Sequence, residues 1–170
     1  MKKITLFCIT AVVCSSVYAN LKPVANAIID RNTKLPIYWL LQAHPSDKAT
    51  VKTILNESGK SKAVTFAPQK ARIDFFGNAI GFEKGDEFIL KAKLKGTGKV
   101  RLAYLAYRAD NKFLFSTESK DIVLSGEEQE ISEKFIIKDG KEHPTARIRP
   151  SLRIYPGTVC EVTSVTLVEE

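Results

Sequence analysis

The chain has 170 residues, 44% hydrophobic and 26% charged, with 26 Lys and Arg against 19 Asp and Glu and a formal net charge of +7. Those proportions exclude a collagenous, low-complexity or fully disordered chain, and the length suits one domain with its own core. The positive balance is mild, compatible with acidic ligands but not by itself the mark of a nucleic-acid binder.

Lys2 and Lys3, the apolar run 4–13 and the small or polar residues ending in Val17-Tyr18-Ala19 have the three-part layout of a secretory leader. Residues 1–19 are therefore read as a signal peptide and residues 20–170 as a single secreted or periplasmic domain. The apolar run is shorter than the roughly 20 residues a bilayer span needs, and no later run is as long, so no transmembrane segment is expected. Val13 before Cys14 and Phe7 before Cys8 are bulkier than lipid attachment favours. The Met-Lys-Lys start looks bacterial, so the sequon Asn56-Glu57-Ser58 is expected to stay unmodified. Beyond the leader only Cys160 remains, which rules out an internal disulfide; its strand-like neighbours suit a small buried hydrophobe better than a reactive thiol.

In chain order, residues 22–30 suggest a first strand and 31–36 a loop, followed by an apolar run at 37–41 and a Pro-Ser-Asp loop within 42–50. Runs 51–55 and 63–66 flank the turn residues 56–60 and are expected to pair. Strands are expected next at 72–76, 88–94 and 100–108, the last two separated by Gly96-Thr97-Gly98. Further strands are expected at 113–116, 121–124, 130–137, 146–155 and 158–168. Turn signals recur every 8 to 12 residues or so and no run carries a helical apolar face, so the pattern predicts an all-β sandwich.

Four segments, in order, resemble the galactose-binding-like jelly rolls of carbohydrate-binding module families four, nine and twenty-two. They are Leu35-Pro36-Ile37-Tyr38-Trp39, the run from Gly59 to Phe66, the run from Gly85 to Gly96, and the pair formed by residues 146–154 and 162–167. The resemblance implies a jelly-roll β-sandwich that binds a polysaccharide or oligosaccharide. It also implies a structural calcium in many members, held partly by an aspartate where this chain has Thr163. Calcium needs about six oxygen ligands, so that departure weakens the implication without removing it.

Catalytic inventories are poor. His44 and His143 are the only histidines, each beside a proline, and they form no metal-ligating pair. There is no Gly-x-Ser-x-Gly elbow and no phosphate-cradling glycine loop. Asp74, Glu83, Asp86 and Glu87 show no second carboxylate on a shared strand face to complete a glycosidase pair. No catalytic residue and no cofactor is assigned, and the chain is read as non-catalytic.

Residues 146–155 alternate so that Ala146, Ile148, Pro150, Leu152 and Ile154 face one side and Arg147, Arg149, Ser151, Arg153 and Tyr155 the other. That arginine row is either a solvated outer face or a ligand face in which guanidinium forks match carboxylate, sulfate or hydroxyl groups. Arg101 and Tyr107 would extend it from the 100–108 strand. Asp74 and Phe76 are favoured over Ile73 and Phe75 as the outward pair. Trp39 is the single tryptophan, read as structural or as a stacking platform for a sugar ring. The candidate ligand-binding set is thus Arg147, Arg149, Arg153, Tyr155, Tyr107, Arg101, Trp39, Asp74 and Phe76. An extracellular or envelope domain that adheres to a protein partner is the alternative on the same sandwich. Nucleic acid is not expected of an exported chain without interleaved aromatic and basic residues.

Overall fold

Among the described residues, ten strands and one short helix account for the regular structure: β1 (Leu40–Gln42), α1 (Pro45–Lys48), β2 (Lys52–Leu55), β3 (Ser61–Phe66), β4 (Ile73–Phe76), β5 (Ile80–Gly81), β6 (Glu87–Tyr107), β7 (Phe113–Glu118), β8 (Ile122–Ile136), β9 (Arg147–Ile154) and β10 (Val159–Glu169). The computed structural model describes residues 21–169. The signal-peptide reading, with Cys8 and Cys14, lies outside them. Among the described residues no helix is long and apolar enough to cross a membrane.

Every strand pairing is antiparallel, and β6 organises the fold. Its alternation sends Phe88, Leu90, Ala92 and Leu94, then Val100, Leu102, Tyr104 and Ala106, into the core. A straight strand would hold Phe88 and Tyr104 roughly 50 Å apart. Their ring centroids are 5.9 Å apart. The strand therefore turns back over itself, and with it the sheet closes into two facing layers. One layer runs β1-β4-β9-β6-β7 with β5 also on β9, and the other runs β2-β3-β10-β6-β8. Aromatics fill the space between them: Phe66 of β3 meets Phe75 of β4 at 5.1 Å, and Phe135 of β8 meets Tyr104 at 5.4 Å. Each such burial contributes about 1.5–3 kcal/mol.

The bend corrects one expectation. Gly96-Thr97-Gly98 does not separate two strands but forms a corner inside a single one, with φ of +152° at Gly96 and +102° at Gly98. The start of β10 crosses so closely that a Cβ on Gly96 would sit 2.2 Å from the Val159 carbonyl, and one on Gly98 2.5 Å from Thr158 Cα. Only glycine meets both demands. The expected strands at 121–124 and 130–137 are likewise one strand, β8, which follows β6 around the corner with a register shift beside it.

Two further expectations change. Residues 22–30 are not a strand: Asn26 takes φ +59°, and the segment is tied instead by Asn26 N–H donating to Ser61 O and Ser61 N–H to Ala27 O. Within 42–50 the chain makes the helical turn α1, and Asp47, 1% exposed, accepts hydrogen bonds from the backbone N–H groups of Gln69, Lys70 and Ala71. The hydrogen bond from Gln69 leads the effects that hold this carboxyl below its ordinary range, against the opposing pull of burial.

A candidate ligand face of arginines and aromatic rings

The non-core side of the first layer is built in rungs by strand register. Gln42, Asp74, Arg153 and Arg101 stand in line across β1, β4, β9 and β6. Leu40, Phe76, Ser151, Ala103 and Glu118 form the next rung, reaching β7. Arg149, Leu105 and Ser116 form the third, and Arg147, Tyr107 and Phe113 the fourth. Ala103 and Ser151 are small and wholly buried by longer neighbours, so the middle of the face is low. A cleft of about 400 Å³ opens on this face, lined by Gln42, Arg72, Asp74, Leu105, Tyr107, Phe113, Ser116 and Arg153.

Its floor is a buried charge network. Arg153, with a side chain 7% exposed, lies with Nε 3.3 Å from Asp74 Oδ1 and donates through a terminal nitrogen to Glu118. Arg72 Nε closes on Asp74 at 2.9 Å, and Arg101 pairs with both Glu118 and Asp121. Burial pushes the Glu118 carboxyl up, but hydrogen bonds and charges from Arg153 and Arg101 outweigh it and hold the group below its ordinary range. Asp121 is lowered chiefly by its hydrogen bond from Arg101 and then by that from Lys99.

Above this floor, the guanidinium carbon of Arg149 lies 5.8 Å from the Phe76 ring centroid and 5.7 Å from that of Tyr107. Tyr107 in turn meets Phe113 edge-on at 5.8 Å. The outer face of the second layer is different in kind. Lys93 pairs with Glu128 at 2.8 Å and Lys134 with Glu87 at 2.7 Å, both in solvent and without an aromatic cluster. Lysine there acts as a hydrated point charge, whereas arginine on the first layer is held by stacking and by forked pairs.

Of the residues singled out from the sequence, Arg153, Tyr107 and Asp74 line the cleft, and Arg149 and Phe76 stand next to it, joined to it through the Tyr107 ring that Arg149 covers. Arg147 stands exposed at its end, donating to Asn111 Oδ1 at 2.6 Å. Arg101 and Tyr155 lie beyond Glu118, where Lys99 and Arg101 cover the Tyr155 ring at 5.1 and 5.2 Å. Arg153 is not part of a solvated ladder, since Asp74 and Glu118 enclose it. Of the two readings of Trp39 the structure takes the structural one, and the residue leaves the candidate ligand set: it is 2% exposed, stacked on Phe75 at 4.5 Å, and its Nε1 donates to the Lys22 carbonyl, so its ring offers no face to a ligand. Sequence reasoning missed Leu105, Phe113, Ser116, Glu118, Gln42 and Arg72. Arg72 alone carried a signal, since it shares the face of Asp74 and Phe76 in the expected strand at 72–76, whereas Glu118 lies beyond the expected strand at 113–116.

The residues around Thr163 do not fit a calcium cage. Its hydroxyl donates to the Lys93 carbonyl at 3.0 Å, and among the described residues no group of three or more His, Cys, Asp or Glu side chains converges. A larger depression of about 750 Å³ lies between the loop at 29–35, β1 and β2; aliphatic side chains, Asn32, Thr33, Thr53 and three lysines line it, with no aromatic ring among them.

This closed, two-layered antiparallel sheet is a jelly-roll β-sandwich, a fold it shares with solved structures of differing function. The ligand-free carbohydrate-binding module BiXyn10A CBM1 matches at TM-score 0.51 and 13% identity, over 88% of this chain and 97% of that one. The Stig cyclase Fisc from Fischerella sp. TAU matches at TM-score 0.54 and 10% identity, over 84% of this chain and 88% of that one. The enzymatically active domain of tailspike protein 4 of bacteriophage CBA120 matches at TM-score 0.56 and 14% identity over 79% of this chain, which spans 20% of the tailspike's length. No protein-family model matches the sequence, and no curated protein is similar to it. Likeness at these identities is one of fold, shared by binding modules and enzymes alike, so function has to be read from the face itself.

Proposed function

We propose that the protein is a secreted or periplasmic, non-catalytic module that binds a polysaccharide across the arginine and aromatic face of its first layer. The observation that carries this reading is the Phe76–Arg149–Tyr107 stack beside a cleft with a low floor. Ring faces suit the C–H side of a sugar, and strand-mounted guanidiniums present fixed donors to its oxygens. A module of this fold that is named for carbohydrate binding covers nearly the whole chain, which supports the ligand class.

The carboxylates at the cleft argue for binding without turnover. A glycosidase acid must carry a proton near neutrality, whereas Glu118 is held ionised by Arg153 and Arg101. Asp74 is buried and ion-paired with both Arg72 and Arg153, which leaves it poorly placed to attack a substrate. Affinity electrophoresis of the mature domain through gels containing neutral and acidic polysaccharides tests the reading. Retardation by a glycan that Tyr107→Ala abolishes, with the glycan recovered intact, supports it. Indifference to every glycan, with co-purification of a protein partner, would favour the adhesion alternative.

A further inference from the structure

Arginines on and around the first layer are occupied in a way that leaves one out. Arg72 and Arg153 hold Asp74, Arg153 and Arg101 hold Glu118, Arg108 holds Asp110, and Arg147 donates to Asn111. Among the described residues the Arg149 guanidinium makes no ion pair and no hydrogen bond; only the rings of Phe76 and Tyr107 hold it. Stacking against rings fixes a guanidinium while leaving its N–H edge open for in-plane, forked bonds. Two residues along β9 on the same face, the hydroxyl of Ser151 is fully buried and finds no hydrogen-bond partner among the described residues.

The balance of donors and acceptors gives the unfilled capacity a sign. Asp74 and Glu118 are each ion-paired with two guanidiniums, so their charge is met even though the buried Asp74 Oδ1 and Arg153 Nε make no hydrogen bond among the described residues, whereas the Arg149 guanidinium has no anionic partner. A neutral sugar brings hydroxyl protons that need acceptors. A carboxylate or sulfate brings acceptors only, and matches the fork. From this we infer that the face beside the cleft selects polysaccharides bearing an anionic group, a uronate carboxylate or a sulfate ester, seated on Arg149 with the sugar ring against Tyr107 or Phe76. The inference rests on the polysaccharide reading above and names its ligand class.

Affinity electrophoresis in gels of polygalacturonate, fully methyl-esterified polygalacturonate, a sulfated galactan and neutral galactan tests it. Retardation is expected with polygalacturonate or the sulfated galactan, and which of the two acts separates carboxylate from sulfate. Esterification and Arg149→Gln are each expected to weaken binding about tenfold to a hundredfold, the value of charge-assisted bonds. Arg149→Lys, which keeps the charge but loses the fork, should fall between. Lys93→Gln on the other layer is expected to leave retardation unchanged, and melting curves confirm that the variants fold. If the neutral galactan or the ester retards the protein as strongly as the acid form and Arg149→Gln has no effect, anion selection is refuted while polysaccharide binding stands. If none of the four gels retards it, both readings fall.

Discussion

Replacing Arg153 by Met probes the floor of the ligand face most sharply. Met keeps an apolar stem of similar reach and removes the guanidinium from between Asp74, 6% exposed, and Glu118, 31% exposed. Removing one partner of a buried pair costs about 3–5 kcal/mol, because the other charge is left in a poor solvent. Here each carboxylate keeps a second guanidinium, Arg72 on Asp74 and Arg101 on Glu118, which places the expected loss at the low end, about 3 kcal/mol. For a domain of this size that lowers the melting temperature by roughly 6–12 °C. The comparator is Lys91→Met, which breaks the solvent-facing pair with Glu130 and should cost less than about 1 kcal/mol. Urea and thermal melts followed by circular dichroism give both values. Equal losses in the two variants would refute the buried network and with it the idea of a preformed floor.

Further outcomes follow from the same structure. Gly98→Ala is expected to destabilise the fold by at least about 1–3 kcal/mol in a urea melt, since φ of +102° and a Cβ 2.5 Å from Thr158 Cα add strain to a clash. Glu118, Asp121 and Asp47 have lowered folded-state pKa values, so the stability they contribute is complete above the ordinary carboxylate range and fades as pH falls through the lowered values. Acid titration of the melting temperature should therefore be flat from neutrality to about pH 5 and drop below about pH 4; a rise on acidification would contradict the pairing. Burial pushes the Cys160 thiol up to about 12, so a disulfide reagent at pH 8 should label it only after denaturant is added.

Much of the fold was legible because strand alternation is local. The rows on β9 and on the second half of β6 were readable from the period of two alone, and β2 and β3 pair across their turn as expected. The corner in β6 was not, because Gly96 and Gly98 look like a hairpin signal until β10 is seen crossing within van der Waals distance of both. The site divided in the same way. Which residues share a strand face could be read from sequence, but which are enclosed could not. Arg153 and Arg149 occupy equivalent places in the pattern, yet register sets one beside Asp74 and the other beside Leu105. Trp39 was ambiguous for a similar reason: only its stacking on Phe75 decides that it serves the core.

Chemical-shift mapping of the folded domain during titration with a retarding oligosaccharide tests the central claim most directly. The account predicts shifts confined to the first layer, at Phe76, Arg149, Ser151, Leu105, Tyr107 and Ser116, with the Lys91–Lys95 face of the second layer silent. Shifts centred on the second layer, or in the larger depression beside β2, would contradict it.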